Sequence, residues 1–599
     1  MKNFLKMLFA SILGVFIAMF FVWIIFIGIL AAMLSGLGSG SKGFYSLTDN
    51  TMLKIVLEGN ISDRKTTDFL PGLFGPTEKS TGLDDIMAAI KTAKENDKIP
   101  GIYIKTGNLS AGIASLEPIR NALVDFRESG KFIVAYGDYY TQSAYYISSV
   151  ADKVIMNPQG MFMFHGMSSY YQFNKGLYDK LGIKFEAFRV GTFKAAIEPY
   201  TETRMSEENR EQTSSFINCV WEHLLAGISK SRGIPVEKLN LYADEYMTYS
   251  APEKSVEYGF VDDLMYESDM DEYIKNTFGL TSFEKMRYAT VANINSIPEK
   301  KSLAVRDRIA VLYAEGMIIQ GKGSGLSPLL GNIITDEEYV KEIGKLKNDN
   351  DVKAVVLRIN SPGGSAYASE QIWHAVTELK KEKPVIVSMG DAAASGGYYI
   401  ACAADMIIAE PTTLTGSIGG FALVPVGEEL HKKIGLTFDG VKTNKHSDME
   451  TASLLLGAKI NPYTDDERRI VQAYINRFID VFYTRCADGR AKTKEEIDAI
   501  GQGRIWTGTQ ALQNGLVDRL GSLEDAIKIA AQQAQLTNYE IDAYPKVKDP
   551  LTILLEEMMN GNVKASLIRS MLGDDVFRLY MTSNKRTTPL DFVQALMIE

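Results

Sequence analysis

Val385-Ile386-Val387-Ser388-Met389-Gly390-Asp391-Ala392-Ala393-Ala394-Ser395-Gly396-Gly397-Tyr398-Tyr399-Ile400 reads as a buried strand, a small-residue turn and the start of a helix. A related stretch lies 253 positions earlier, so that Gly137-Asp138 falls on Gly390-Asp391 and Tyr145-Tyr146-Ile147 on Tyr398-Tyr399-Ile400. In the same register Asp152 falls on Asp405, Pro158 on Pro411, Gly182 on Gly435 and Phe185 on Phe438. The chain is therefore an internal duplication. The two copies differ where chemistry is possible. The second has Ser361-Pro362-Gly363-Gly364 and Ser395-Gly396-Gly397; the first has Asn108-Leu109-Ser110-Ala111 and Gln142-Ser143-Ala144. The first has Lys194 where the second has Ser447. One half keeps a serine in a glycine turn and the other keeps a lysine, which points to a Ser/Lys site assembled from both.

Outward from that stretch, each half alternates short apolar strands with helices. The strands are Met52 to Leu57, Ile102 to Ile104 and Phe132 to Ala135 in the first, and Ile309 to Tyr313, Val355 to Ile359 and Val385 to Ser388 in the second. Helical patterns run over Leu116 to Phe126 and Ala368 to Leu379. This alternation predicts an α/β fold with a parallel sheet in each half. The halves also close alike, on Tyr258-Gly259-Phe260-Val261-Asp262 and Asn514-Gly515-Leu516-Val517-Asp518. The repeats are placed at 51–295 and 305–545, with a polar connection near Asn293 to Arg306 and a helical tail over 546–599.

At 599 residues the chain exceeds a single ordinary core. With 46% hydrophobic and 23% charged residues it is globular rather than disordered. The net charge of -10 opposes a general nucleic-acid binder. Met7 to Leu34 is 28 residues without a charge. A spanning helix needs about 20, whereas the apolar core of a cleaved signal peptide runs about 7–15. Residues 7–34 are therefore expected to be a retained transmembrane anchor, followed by a linker over 35–50. Lys2 and Lys6 precede it, so residues 1–6 are expected in the cytoplasm and the body outside. Three scattered cysteines, Cys219, Cys402 and Cys486, have no metal spacing and no disulfide framework.

A serine at the position of Ser395 sits at a helix N-terminus, where backbone N–H groups can bind an oxyanion. The same placement suits a simple N-cap. A second glycine turn, Ser361-Pro362-Gly363-Gly364, also leaves a strand, and two such turns are best explained as walls of one cleft. A serine needs a base. Of the five histidines, His223 and His374 read as helix residues, His431 and His446 lie in charged surroundings, and His165 belongs to the half without the serine. A lysine base is the alternative. Lys194 has small and apolar neighbours, in Gly191-Thr192-Phe193-Lys194-Ala195-Ala196. An ordinary lysine, with a pKa of about 10.4, is neutral in only about one molecule in a thousand near neutrality. Burial can lower that value by about 3–5, so Lys194 serves only if it is buried. Ser417, in Thr415-Gly416-Ser417-Ile418-Gly419, is placed to orient the amine or relay its proton.

These motifs, with Glu198-Pro199, Gly503-Arg504-Ile505-Trp506-Thr507-Gly508 and Asn514-Gly515-Leu516-Val517-Asp518, resemble the bacterial signal peptide peptidase A family of Ser/Lys-dyad proteases, in its long, membrane-anchored, duplicated form. The resemblance spans essentially the whole chain. It implies tandem ClpP/crotonase-like domains, Ser395 as nucleophile and Lys194 as general base. It places an oxyanion hole at the Gly396 N–H and one of Gly363 or Gly364, with Ser417 beside the lysine. It implies no cofactor and no metal. It implies a homotetramer in the bacterial inner membrane with its catalytic body on the periplasmic side, degrading signal peptides and other extended apolar peptides. Two other readings stand beside it. One is a crotonase-like enzyme of acyl thioesters, opposed by the anchor because coenzyme A is cytosolic. The other is a catalytically silent membrane scaffold, opposed by the survival of both dyad partners on opposite repeats. The sequence leaves open whether the dyad lies within one chain or between chains.

Overall fold

The computed structural model describes Gly14, Phe20 and residues 45–65, 80–280, 286–297, 306–322, 332–453 and 457–546. The expected anchor, but for Gly14 and Phe20, and the expected tail beyond 546 lie outside the described residues. Among the described residues no helix is long and apolar enough to cross a membrane.

Two large sheets organise the chain. The first has seven strands in the order Ser80–Gly82, Thr51–Ser62, Gly101–Ser110, Phe132–Tyr140, Lys153–Phe162 and Asp263–Leu264, with Arg287–Thr290 also pairing with Thr51–Ser62. All its pairings are parallel. The second has eight strands, centred on Arg308–Glu315, Val352–Ser361 and Val385–Ala394. It too is parallel, except where Leu414–Gly416 meets Ile505–Thr507. The strands expected from sequence fall within observed ones. Val385–Ala394 runs further than expected, because its last residues pair with Leu414–Gly416. The apolar runs exist because these strands are covered on both faces: Val385 through Met389 are buried throughout.

The duplication is visible in side-chain contacts as well as topology. Tyr145 Oη donates to the Phe260 carbonyl at 2.7 Å, as Tyr398 Oη donates to that of Leu516 at 2.9 Å. Tyr146 Oη donates to Glu117 at 2.5 Å, as Tyr399 Oη does to Glu370 at 2.6 Å. A tyrosine pair thus fastens the helix after the third central strand in both halves.

The repeats are joined by more than the connecting chain. Lys184–Val190 of the first pairs antiparallel with Gly420–Val426 of the second, over seven register pairs. Asp391 of the second repeat accepts from Ser115 N at 2.9 Å and Ser115 Oγ at 2.5 Å, so it caps the helix Ile113–Glu128 of the first. A Cβ on Gly112 would lie 2.0 Å from the Asp391 carboxylate, so glycine is needed for that approach. Asp63 of the first repeat accepts from Arg358 Nε at 3.0 Å and Nη2 at 2.8 Å. Their side chains are 2% and 0% exposed. Arg358 lies on Val352–Ser361, which leads directly into Ser361-Pro362-Gly363-Gly364.

That ion pair is testable. Asp63→Asn should cost about 3–5 kcal/mol, because Arg358 would remain buried without its counter-charge. The double change Asp63→Leu with Arg358→Met should cost less than Asp63→Asn alone. Thermal unfolding of the two variants should show that order; the reverse order would rule the pair out as the tie between the repeats.

Candidate active site

Ser395 is held at the end of Val385–Ala394 and before the short helix Gly396–Ala401. Its backbone is at φ 53°, ψ -117°, a left-handed conformation rare for a residue with a Cβ. Such strain costs about 1–3 kcal/mol and persists only where the surroundings impose it. Here Ser395 N donates to the Gly416 carbonyl at 2.9 Å, which continues the pairing of Ala392, Ala393 and Ala394 with Leu414–Gly416. The turn throws the side chain outward. Its hydroxyl makes no capping bond to the helix. The N-cap alternative is thereby set aside: Oγ instead accepts from Lys194 Nζ at 3.0 Å.

Lys194 follows the strand Lys184–Val190 and belongs to the first repeat. It crosses to the second because that strand is paired there. The two residues meet within one chain. Lys194 is 6% exposed. Besides Ser395, Nζ donates to the Ser417 carbonyl at 3.1 Å and to Ser417 Oγ at 2.9 Å. No carboxylate is among these partners, and burial pushes the amine down from 10.5 to about 8. Ser417 itself is at φ 50° and is fixed by its N–H donating to the Arg504 carbonyl at 2.7 Å.

The glycine turn forms the facing wall. The Gly363 N–H donates to Ser361 Oγ at 3.1 Å, so it is already used. The Gly364 N–H has no hydrogen-bond partner among the described residues, and neither has that of Gly396, the first residue of its helix. A Cβ on Gly363 would lie 2.7 Å from Gly396 N and 2.8 Å from Ser395 Cβ, so a side chain there would fill the space in front of that N–H. A Cβ on Gly396 would lie 3.2 Å from Gly364 N. Ile318 pins the turn: its N–H donates to the Gly363 carbonyl at 2.9 Å, and Ser365 N donates to the Ile318 carbonyl at 2.7 Å. All six residues singled out from sequence are thus in one place. The five histidines are elsewhere: His223 contacts Glu117, His446 contacts Glu467, His165 stacks on Tyr246, His431 packs on Phe438 and His374 is exposed on the helix Ala366–Lys380. Among the described residues no group of His, Cys, Asp or Glu could hold a metal ion.

Known proteins share this pattern. The profile of Peptidase family S49 matches residues 125–280 and 377–537, one block in each repeat. Protease 4 of Salmonella typhi is 34% identical over 92% of this chain and 89% of its own length. The chain belongs to peptidase family S49. Protease 4 of Haemophilus influenzae is likewise 34% identical, over 92% of this chain and 88% of its own length. A protein of Enterococcus faecium, named provisionally as a signal peptide peptidase SppA, is 30% identical over 44% of this chain and 74% of its own length. The Clp protease profile matches residues 330–413. The protein is a serine protease of the long, duplicated S49 type with a ClpP-like α/β fold.

Around this site the structure gives a role to motif residues that had none assigned, and adds Gln212, which no motif contains. Gln212, buried on the helix Glu207–Arg232, donates from Nε2 to the Phe193 carbonyl at 2.9 Å and accepts at Oε1 from Ile505 N at 3.2 Å. It stitches the lysine segment to the strand beside Ser417. In a helical pattern one more glutamine carries no signal. Gly503 does carry one, in Gly503-Arg504-Ile505-Trp506. At φ 75° it lies so close that a Cβ would be 2.7 Å from Lys194 Cβ. Gln502 accepts from Phe193 N at 2.8 Å, and the Arg504 guanidinium stacks over Phe193 at 4.7 Å. Glu198 is buried beneath the segment and accepts from Ser206 Oγ at 2.5 Å and Asn209 Nδ2 at 2.8 Å.

Burial of Lys194 has a stability consequence. The unfolded lysine titrates near 10.5 and the folded one near 8. Between those values the unfolded chain binds more protons, so stability rises with pH there; below about 8 the full cost, about 3 kcal/mol, is present. Lys194→Met should therefore raise the unfolding temperature near pH 7. The loss of the bonds to Ser417 will offset part of that gain. The advantage should shrink as the pH is taken toward 10.5; a variant no more stable than the parent at pH 7 would contradict it.

Proposed function

We propose that this S49 protease is a membrane-anchored endopeptidase working through a Ser395/Lys194 dyad on cleaved signal peptides and other extended apolar peptides. The observation that carries the dyad is the buried Lys194 Nζ, 3.0 Å from Ser395 Oγ with no carboxylate beside it. A neutral amine has two N–H donors and one lone pair. The Ser417 carbonyl and hydroxyl take the two donors, which leaves the lone pair for the Ser395 proton. Burial makes that neutral form accessible, in roughly one molecule in ten at pH 7 and half near pH 8.

In the reaction Ser395 Oγ attacks the scissile carbonyl carbon and Lys194 takes the hydroxyl proton. The developing oxyanion is received by the N–H groups of Gly396 and Gly364. Gly364 is favoured over Gly363, whose N–H is already held by Ser361. The C–N bond then breaks, the leaving amine takes the proton from Lys194, and an acyl ester remains on Ser395. Water attacks that ester with Lys194 again as base, which frees the acid and restores the serine. Ser417 keeps the amine in position through both steps.

The anchor and the substrate belong to the same reading. The uncharged run 7–34 behind two lysines supports a single span with the body on the periplasmic face of a bacterial inner membrane. Signal peptides are apolar and left at the membrane, within reach of such a body. The name of the Enterococcus faecium relative points the same way.

Ser395→Ala and Lys194→Ala should each abolish peptide cleavage without altering the unfolding transition by more than the lysine's own effect. Lys194→Arg should be equally inactive, since a guanidinium stays protonated. In the parent, kcat/KM should rise with pH and level off above about 8, as the lysine loses its proton. An active-site serine probe should label Ser395 in the parent. Parent-like turnover by Lys194→Arg would overturn the lysine-base assignment. Inactive or unlabelled parent protein would overturn the dyad. Failure to cleave apolar signal peptides while other peptides are cut would overturn only the substrate.

A further inference from the structure

The helix that opens at Ser395 ends on a buried sulfur pair. Cys402 caps the C-terminus of Gly396–Ala401, where its N–H donates to the Tyr398 carbonyl at 2.9 Å and its thiol to the Tyr399 carbonyl at 3.1 Å. Cys486 lies in the last turns of the long helix Asp465–Arg490. Both cysteines are 0% exposed. Far apart along the chain, they meet in space: the Cys486 thiol is in hydrogen-bonding contact with that of Cys402. Gly489, one turn beyond Cys486 on the same helix face, lets the two backbones approach. A Cβ there would lie 2.0 Å from the Cys402 carbonyl oxygen. The third cysteine is elsewhere, with Cys219 Sγ 3.2 Å from Thr507 Oγ1.

The first repeat fastens the same junction by other means. Ser149, the repeat equivalent of Cys402, ends the helix Gln142–Ser148. Arg120 reaches from Ser149 Oγ, at 2.8 Å, to Ser231 Oγ, at 2.6 Å, on the long helix Glu207–Arg232. In the second repeat Trp373 stands at the position of Arg120, so that tie is gone, and the two sulfurs occupy the junction instead. What they join serves both sides of the site. The helix Gly396–Ala401 begins at the strained Ser395. The other end of Asp465–Arg490 holds the strand that delivers Lys194: Arg468 pairs with Glu186 at 3.0 Å, and Gln472 Nε2 donates to the Arg189 carbonyl at 3.4 Å.

We infer that Cys402 and Cys486 close to a disulfide within the chain, which fastens the helix after Ser395 to the helix that supports the strand of Lys194. Closure needs an oxidant, and the class that fits is another disulfide, of a small thiol or of a thiol–disulfide oxidoreductase. One cysteine thiolate attacks a sulfur of that disulfide, forms a mixed disulfide and expels one thiolate. The other cysteine thiolate then attacks the first cysteine's sulfur and expels the second. The pair gives up two electrons and two protons, and the oxidant leaves as two thiols. Thiolates are the reactive form. Burial, with the contact to Cys402, holds the Cys486 thiol well above its ordinary range, so the exchange belongs to the chain before these helices pack. Disulfides persist in oxidising compartments. Closure in the cell therefore rests on the proposed placement of the body outside the cytoplasm, whereas the fit of the two sulfurs does not.

The test uses the full-length chain. Cells making it are treated with N-ethylmaleimide, and the protein is unfolded in the same reagent, so that no thiol can oxidise afterwards. Mass mapping should find the peptides of Cys402 and Cys486 joined, released by reduction, with Cys219 carrying the maleimide. In a second arm the reduced chain in detergent is given oxidised glutathione in urea just below its unfolding transition, and the same link should form. Unfolding of the linked protein should move to lower urea when a reductant is added, because the unfolded chain then loses its closed loop. Cys486→Ser should show no such shift. No link in the second arm would overturn the pairing, and an unchanged transition with reductant would overturn the fastening. A link there but free thiols in cells is resolved by adding protease to spheroplasts. A degraded body would overturn closure in the cell; a protected body would overturn the placement outside the cytoplasm, and closure with it.

Discussion

The arrangement turns on a buried amine that has no counter-ion. A charge in a low-dielectric interior is costly unless it is paired, and a basic group so placed gives up its proton more readily. Lys194 has hydroxyl and carbonyl oxygens around it but no carboxylate. An aspartate or glutamate in place of Ser417 would hold the ammonium and so, on the proposed roles, remove the base. The surrounding structure is built to keep the amine buried and uncharged partners close. Gly503 admits the lysine backbone, Gln212 ties its segment down, and the Arg504 carbonyl fixes Ser417. Acid residues are present between the repeats but are occupied elsewhere: Asp63 by Arg358, and Asp391 by Ser115.

The two repeats divide the work, and the decay of each is physical as well as sequential. In the first, the position of the serine is taken by Gln142, whose amide bonds to the backbone of residues 165 and 166 through both its oxygen and its nitrogen. The glycine turn is replaced by Asn108-Leu109-Ser110-Ala111, and Leu109 is buried in the core of its own sheet. In the second, the position of the lysine is Ser447, exposed in a loop and bonded to the Asn444 carbonyl. What both repeats keep is the scaffold: the parallel sheet, the tyrosine contacts after the third central strand, and the helix-ending glycines.

Much of this was legible in the chain itself. The strand cores are continuous apolar runs because helices cover both faces. Ser395, Gly396, Gly363, Gly364 and Lys194 stood out as polar or glycine exceptions to the repeat and Ser417 by its glycine-flanked motif, and the structure brings all of them together. Three things were not legible. The choice between Gly363 and Gly364 depends on where one N–H points, which Ser361 decides. Gln212 works through distance in space, 293 residues from Ile505 along the chain. Whether the dyad is internal depends on the partner of Lys184–Val190, and the same pattern of residues would suit a neighbour's strand equally well. Duplication makes that ambiguity inherent: a sequence repeat specifies two compatible surfaces without saying which copy meets which.

On the proposed roles the base is supplied from the repeat opposite the serine. Had the lysine come from the serine's own sheet, its burial would burden the folding of that unit alone. Coming from the other repeat, Lys194 is buried by the contact between the repeats, against Ser395 and both oxygens of Ser417. The cost of about 3 kcal/mol therefore falls on that contact, where the seven paired residues of Lys184–Val190 and Gly420–Val426 and the Asp63–Arg358 pair oppose it. On the proposed roles, a half-folded chain holds a serine with no base and a lysine with no serine. On those roles the nucleophile depends on the ties between the repeats as much as on its own strained turn.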